Sequence, residues 1–365
     1  MAPAHDSSCM RHALGLAARA LGQAAPNPAV GCVIVSGDGR IVGRGWTGQG
    51  GRPHAEAVAL AQAGVSARGA TAYVTLEPCA HHGATPPCAE ALVAAGLARV
   101  VAAIEDPDPR VSGRGFARLR AAGIDVVTGI LSTEAAALNA GFFLRLREQR
   151  PLTTLKIAAG ADGRTAAATG ESRWITGPDA RRFGHLLRAK HDAILIGIET
   201  ALADDPLLTC RLPGLEDRSP LRVVLDSRLR LSPSSKLAQT AQRIPTLVFT
   251  TADGGGDLRA AGVDVVNVAR DLRGRPEIAA ALRILAERGV NHLLVEGGAA
   301  VHAALLDRGL ADRIEMFRAP LVLGGAGHAA IDPLAVLGLE EAPRLELVET
   351  RRLGADVLES YRVAH

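Results

Sequence analysis

Four residues constrain this chain more tightly than any others: His54, Glu56, Cys79 and Cys88. His54-Ala55-Glu56 stands where an Ala-rich helical segment, 54–63, begins. Pro78-Cys79 follows a strand-like run at 70–76, and Cys88 opens a second helical stretch, 88–95. One imidazole and two thiolates fill three tetrahedral zinc positions and leave the fourth for water, the pattern of a catalytic rather than a structural site. Free N–H groups at a helix start favour a thiolate. Glu56 is too close to His54 in sequence to chelate comfortably beside it. It is well placed to take a proton from water in the fourth position and pass it to a leaving nitrogen.

His-x-Glu followed by Pro-Cys and a second Cys is the signature of zinc deaminases as a class, although their usual two-residue gap between cysteines is eight residues here. The remaining histidines carry less. His5, His12, His185, His191 and His302 read as helix-surface or element-end residues, while His81 and His82 lie in the loop between the two cysteines.

Around this constellation the pattern alternates between strand and helix. A helical face at 6–22 precedes an apolar run at 29–36. Gly37-Asp38-Gly39 turns the chain into a returning strand at 40–46. Strands at 99–104 and 125–128 flank a helix at 116–122, and one continuous helix is expected over 133–147, stopped by Pro151. The domain boundary is placed at 150, giving domains 1–150 and 151–365. The second half repeats the logic, with strands at 152–157, 192–197, 221–225, 246–250, 263–268 and 292–295, helices at 276–288 and 299–307, and an extended tail from 313. Such alternation implies an α/β layer fold with helices on both faces of each sheet.

Composition then excludes several partners. A net charge of +3 is spread without a basic run, and aromatics make up 3%, so a nucleic-acid polymer is not expected. No apolar stretch approaches the roughly 20 residues of a membrane helix, and 1–10 lack a signal-peptide core. Five cysteines, an odd number, argue against a disulfide framework and for a reducing, cytoplasmic setting.

The segment Glu77-Pro-Cys-Ala-His-His-Gly-Ala-Thr-Pro-Pro-Cys88 closely resembles the bifunctional riboflavin-biosynthesis deaminase/reductase family. The second half adds Leu155-Lys156, Asp162-Gly163, Ser172-x-Trp174-Ile175-Thr176, Asp204-Asp205-Pro206-x-Leu208-Thr209-x-Arg211 and Val295-Glu296-Gly297-Gly298. The resemblance implies a cytidine-deaminase-like three-layer α/β/α domain followed by a dihydrofolate-reductase-like α/β domain. It also implies two reactions. The first is zinc-dependent hydrolytic deamination of 2,5-diamino-6-ribosylamino-4(3H)-pyrimidinone 5′-phosphate, and the second is NADPH-dependent reduction of the ribosyl to a ribityl chain.

Carried over by position, His54, Cys79 and Cys88 hold one zinc ion per chain and Glu56 carries the proton. Asn27 and His81 contact substrate in the first half, and Thr85 borders it. In the second half Ala158, Trp174, Thr200 and Asp204 contact NADPH, as does the run Gly298, Ala299, Ala300, Val301, His302, Ala303 and Ala304. Ser172, Arg188, Leu208, Arg211 and Glu296 contact substrate, with Arg188 and Arg211 suited to a sugar phosphate. A homo-oligomer, dimer or tetramer, is implied as well. Thr47, Ala84, Asp108 and Gly160 depart from the family's frequent His, basic residue, Asn and Ser. The competing enzyme reading is a deaminase of another nucleotide or of tRNA with a degenerate second domain. A different class of reading is a non-catalytic nucleotide-binding protein with structural zinc.

Overall fold

The computed structural model describes residues 3–81, 86–109 and 111–364. The chain forms two compact units that divide between Glu148 and Gln149. The first contains α1 (Pro3–Ala17), β1 (Gly31–Val35), β2 (Ile41–Trp46), α2 (Ala55–Ala63), β3 (Thr71–Val74) and α3 (Cys88–Ala94). It continues with β4 (Arg99–Ala102), α4 (Arg114–Ala121), β5 (Asp125–Thr128), α5 (Ser132–Leu138) and α6 (Ala140–Glu148).

Its sheet runs β2-β1-β3-β4-β5, antiparallel across β2, β1 and β3 and parallel from β3 to β5. Side chains alternate across a strand, so β1 sends Cys32 and Ile34 to one face and Val33 and Val35 to the other. The first pair packs with Ala55 and Ala59 of α2 and with Leu92 of α3. The second packs with Met10 and Ala13 of α1. Three layers follow. The helix that carries Glu56 lies directly on β2: a Cβ at Gly43 or Gly45 would sit 2.2 Å from the Ala59 carbonyl or 2.1 Å from that of Ala55. Only glycine permits this approach.

The continuous helix expected at 133–147 is two helices. Asn139 interrupts it because its buried amide pairs with Ala29 in both directions, accepting from the backbone N–H at 2.9 Å and donating to the carbonyl at 3.0 Å. A side chain that bonds a distant backbone so completely competes with regular helix.

The second unit contains β6 (Leu152–Gly160), β7 (Arg164–Ala166), α7 (Pro178–Lys190), β8 (Ala193–Gly197), α8 (Ile198–Asp204), β9 (Leu221–Leu225), α9 (Lys236–Gln239), β10 (Thr246–Thr250) and α10 (Gly256–Ala260). Then come β11 (Asp264–Asn267), α11 (Ile278–Glu287), β12 (His292–Val295), α12 (Ala299–Leu306), β13 (Arg313–Ala319), β14 (His328–Ala329), β15 (Leu345–Leu353) and β16 (Asp356–Val363). Nine strands form one sheet, β11-β10-β9-β8-β12-β6-β13-β16-β15, parallel as far as β13 and antiparallel beyond it. α11 and α12 cover one face, while α7, α9 and α10 cover the other. β12 returns between β8 and β6, so the strand order reverses there, and ligands bind outside the carboxyl ends of strands at such a point. The sequence reading assigned no element to α7. Its alternating cations mask the apolar face, although Gly177-Pro178-Asp179 is a helix start by composition. Among the described residues no helix is long and apolar enough to cross a membrane.

Candidate active sites

In the first unit, His54 caps α2 in an extended conformation and Cys88 is the first residue of α3. Cys79 lies in the loop after β3, where it accepts the Cys88 backbone N–H at 3.3 Å. The three side chains converge. His54 Nδ1 is 3.2 Å from Cys88 Sγ and 3.6 Å from Cys79 Sγ, and all three donor atoms lie within 4.8 Å of one another. Zinc bonds of about 2.3 Å to sulfur and about 2.0 Å to nitrogen put tetrahedral donors roughly 3.5–3.8 Å apart, so the set fits zinc.

The electrostatics agree with a cation here. The hydrogen bond from Cys88, with help from His54, brings the Cys79 thiol down to about 4, and the same neighbouring thiolate pushes Cys88 up. Two sulfurs this close need a positive centre to ionise together. Glu56 is 3% exposed, and burial followed by the Cys79 charge pushes its carboxyl up to about 7. A carboxyl tuned to neutrality both takes and gives protons.

His54, Glu56 and Cys79 line a cavity of about 300 Å³. Asn27 is on its wall and donates to the Gly50 carbonyl at 3.3 Å. His81 is exposed at its rim. Thr85 and Ala84 lie outside the described residues. Thr47 is buried and accepts the Val30 N–H at 2.9 Å, which ties the start of β1 to the end of β2. Asp108 is buried in the wall, and its N–H donates to Asp106 Oδ1. Burial, with Asp108 and Glu77 close by, pushes Asp106 up to about 6. The cavity is therefore more acidic than an asparagine at that position would make it. Sequence reading gave Asp106 and Glu77 no role of their own. Glu77 accepts backbone N–H groups from Asp106, Gly113, Gly115 and Phe116 and so fixes the loop behind the metal site.

In the second unit a cavity of about 1180 Å³ opens at the strand-order reversal. Its wall includes Ala158, Ser172, Trp174, Arg188, Thr200, Asp204, Leu208, Arg211, Glu296, Gly298, Ala299 and His302. A smaller cavity of about 410 Å³ shares Thr200 and Gly298 with it and reaches Ala300, Val301 and Ala304. Ala303 lines neither; it is buried in the core. Gly297 and Gly298 have φ of 105° and 91°, and a Cβ at Gly298 would be 3.2 Å from Val301. This turn opens the backbone at the start of α12 toward the cavities, a cradle suited to a phosphate-bearing cofactor. Ser227, Arg228, Arg230 and Arg275 line the smaller cavity, three of them cations, and sequence reading named none of them. At Gly160 a Cβ would stand 2.8 Å from the Leu321 carbonyl, so the chain has closed over the place of the family's Ser.

Two side chains have surroundings that their local sequence does not show. Arg188, read as a phosphate ligand, already has its guanidinium engaged. Nε and Nη2 donate to Glu296 at 2.7 and 2.8 Å, and Nη1 donates to the Thr209 carbonyl at 3.0 Å. Burial works to raise Glu296, but Arg188, joined by Lys156 at 4.0 Å, overcomes it and holds the carboxyl at about 2. Lys156 is pushed down by burial and lies over the Phe317 ring. His185, read as a surface or element-end residue, faces the cavity, as does His302, which the resemblance also placed among the NADPH contacts. His302 is buried, with Nδ1 against the Ala330 carbonyl at 3.0 Å. Trp174 is 67% exposed at the cavity edge, with Arg181 stacked 4.6 Å from its ring centroid.

Residues 151–358 match the RibD C-terminal domain family, and residues 3–104 match the cytidine and deoxycytidylate deaminase zinc-binding region. The chain is 44% identical over 364 residues to the riboflavin biosynthesis protein RibD of Escherichia coli K12, covering 96% of this chain and 98% of that protein. Among solved structures, Acinetobacter baumannii RibD aligns over 100% of both chains with a TM-score of 0.89 and 38% identity. A Thermotoga maritima diaminohydroxyphosphoribosylaminopyrimidine deaminase/5-amino-6-(5-phosphoribosylamino)uracil reductase aligns over 99% of both, with a TM-score of 0.87 and 33% identity.

Proposed function

The chain belongs to the RibD family of riboflavin-biosynthesis proteins, and from that membership we propose how its two units divide the family's deaminase and reductase reactions. The first unit hydrolyses the 2-amino group from the diaminopyrimidine ribosylamine 5′-phosphate. The second reduces the ribosyl of the product to a ribityl chain with NADPH. The observation that carries this reading is the convergence of His54, Cys79 and Cys88 beside a buried Glu56.

His54, Cys79 and Cys88 would hold a zinc ion, which would supply Lewis acidity enough to bring the pKa of water near neutrality. Glu56 receives the proton and delivers it to the departing ammonia. Asn27 and His81 hold the ring against the metal site. Thr200 and the start of α12 would hold NADPH, which would supply the hydride. Glu296, clamped by Arg188 and approached by Lys156, presents an ionised acceptor to the ribose hydroxyls. Arg211 meets the phosphate. In the smaller cavity Arg230 and Arg275 pair with Glu199 and Asp271, so Arg228 is the cation that suits the extra phosphate of NADPH and supports a preference over NADH.

A deaminase of tRNA with a degenerate second domain does not fit an intact second cavity or matching relatives that span both halves. The deciding assay follows both products. Ammonia should be released first, then NADPH consumed, with NADH at least about tenfold poorer. A chelator strong enough to strip zinc should end ammonia release and leave reduction of pre-deaminated substrate intact. Reduction without any metal-dependent deamination would overturn the assignment.

None of the five cysteines is in a disulfide, which supports the cytoplasm as the setting. The homo-oligomer forms through β15, an edge strand whose Leu345, Leu347 and Val348 are exposed. Long apolar edges invite pairing. Its acids, Glu346 and Glu349, precede its bases, Arg351 and Arg352, so antiparallel pairing with a second copy sets unlike charges opposite. Sedimentation should show a dimer or larger, and Val348→Lys should yield monomer. A monomeric wild type would refute it.

A further inference from the structure

We propose that His185 is the residue that positions Arg211 to read the substrate phosphate in the second unit. The inference rests on the reductase reading above, and it concerns a residue that touches the reading cation rather than the reacting atoms.

Six cations line the large cavity, and five are already held by other groups. Lys156 and Arg188 share Glu296, Arg173 pairs with Asp204 at 3.3 Å, and Lys236 pairs with Asp205 at 3.5 Å. Arg181 donates to the Thr176 carbonyl at 2.8 Å and stacks on Trp174. Arg211 alone is held by a neutral ring: its Nε donates to His185 Nε2 at 3.4 Å. Among the described residues no carboxylate neutralises it. Both terminal nitrogens therefore remain for a bidentate contact with an anion.

The tautomer of His185 is settled by its other nitrogen. Nδ1 lies 3.1 Å from the Thr209 carbonyl, which can only accept, so Nδ1 carries the proton and Nε2 offers a lone pair. The same carbonyl accepts from Arg188 Nη1 at 3.0 Å. The charged groups facing His185 are Arg188 on α7, Arg211 on the loop beyond α8, and Glu296 after β12. Burial first, then the two arginines, keep the ring neutral. A neutral acceptor orients a guanidinium without cancelling its charge, whereas a carboxylate in this place would compete with the phosphate.

Amide substitutions separate the two nitrogens. His185→Asn keeps a donor near Nδ1 and loses the Nε2 acceptor. His185→Gln reaches the Nε2 position with an acceptor. In the full chain, His185→Asn should raise KM for the phosphorylated reductase substrate about tenfold at unchanged kcat, and weaken competitive inhibition by ribose 5-phosphate equally. The His185→Gln variant should stay within about twofold of wild type. In an Arg211→Ala background His185→Asn should add nothing, since the two residues act as one unit. Deamination by the same preparations is the control for folding. A lowered kcat at unchanged KM, or a penalty from His185→Asn that persists without Arg211, overturns the proposal. Absence of NADPH consumption by the wild type would instead overturn the reductase reading itself.

Discussion

Glu56→Gln is expected to leave zinc bound and to cut deamination by about 10²–10⁴-fold, the range that a positioned proton carrier contributes. The amide is nearly isosteric, and the ligand set of His54, Cys79 and Cys88 is untouched. What disappears is a buried carboxyl, raised to about 7 by burial and the Cys79 charge, which on the proposed reading accepts one proton and returns another. Metal analysis and ammonia release on the same preparation check both halves of the claim, and NADPH-dependent reduction should be unchanged. A variant that loses its zinc would make Glu56 a structural partner of the site. One that deaminates at the wild-type rate would remove it from the chemistry.

Glu296→Gln is expected to destabilise the second unit by about 3–5 kcal/mol. It leaves Arg188 and Lys156 facing each other in a low-dielectric wall without their shared anion. The wild type should reproduce part of this loss in acid. The folded-state pKa of Glu296, about 2, lies below its ordinary value of 4.5. The stabilisation is therefore fully present above about pH 4.5 and is lost as pH falls toward 2. Its size is about 3–4 kcal/mol, from roughly 1.4 kcal/mol per pKa unit. Amide-exchange protection in β12 and β6, measured at about pH 7 in both proteins and near pH 3 in the wild type, reads the second unit directly. Equal protection in wild type and variant at neutral pH would show that the ion cluster is energetically idle.

Much of the architecture was legible because it is repetitive. Val33 and Val35 against Cys32 and Ile34 announce a strand buried on both faces before any partner is known. Where local patterning met a long-range bond, the reading failed. Asn139 is an ordinary residue of a helical stretch until Ala29, 110 residues earlier, claims its side chain. α7 escaped notice because Arg181, His185 and Arg188 look like a solvated face. Folding turns that face onto a cavity.

The chain's order of residues alone pointed to the His54, Cys79 and Cys88 cluster and to Glu56 as the proposed proton carrier. Each donor is set by a local feature, a helix start or the loop after a strand, whose residue types declare it. Tertiary structure alone decided which cations of the second unit are already engaged and which is left to act. Arg188 meets Glu296 across 108 residues, and His185 meets Arg211 across 26. Charge is written in the sequence, but its neutralisation depends on distance and burial, and those exist only once the sheet has brought its strand ends together.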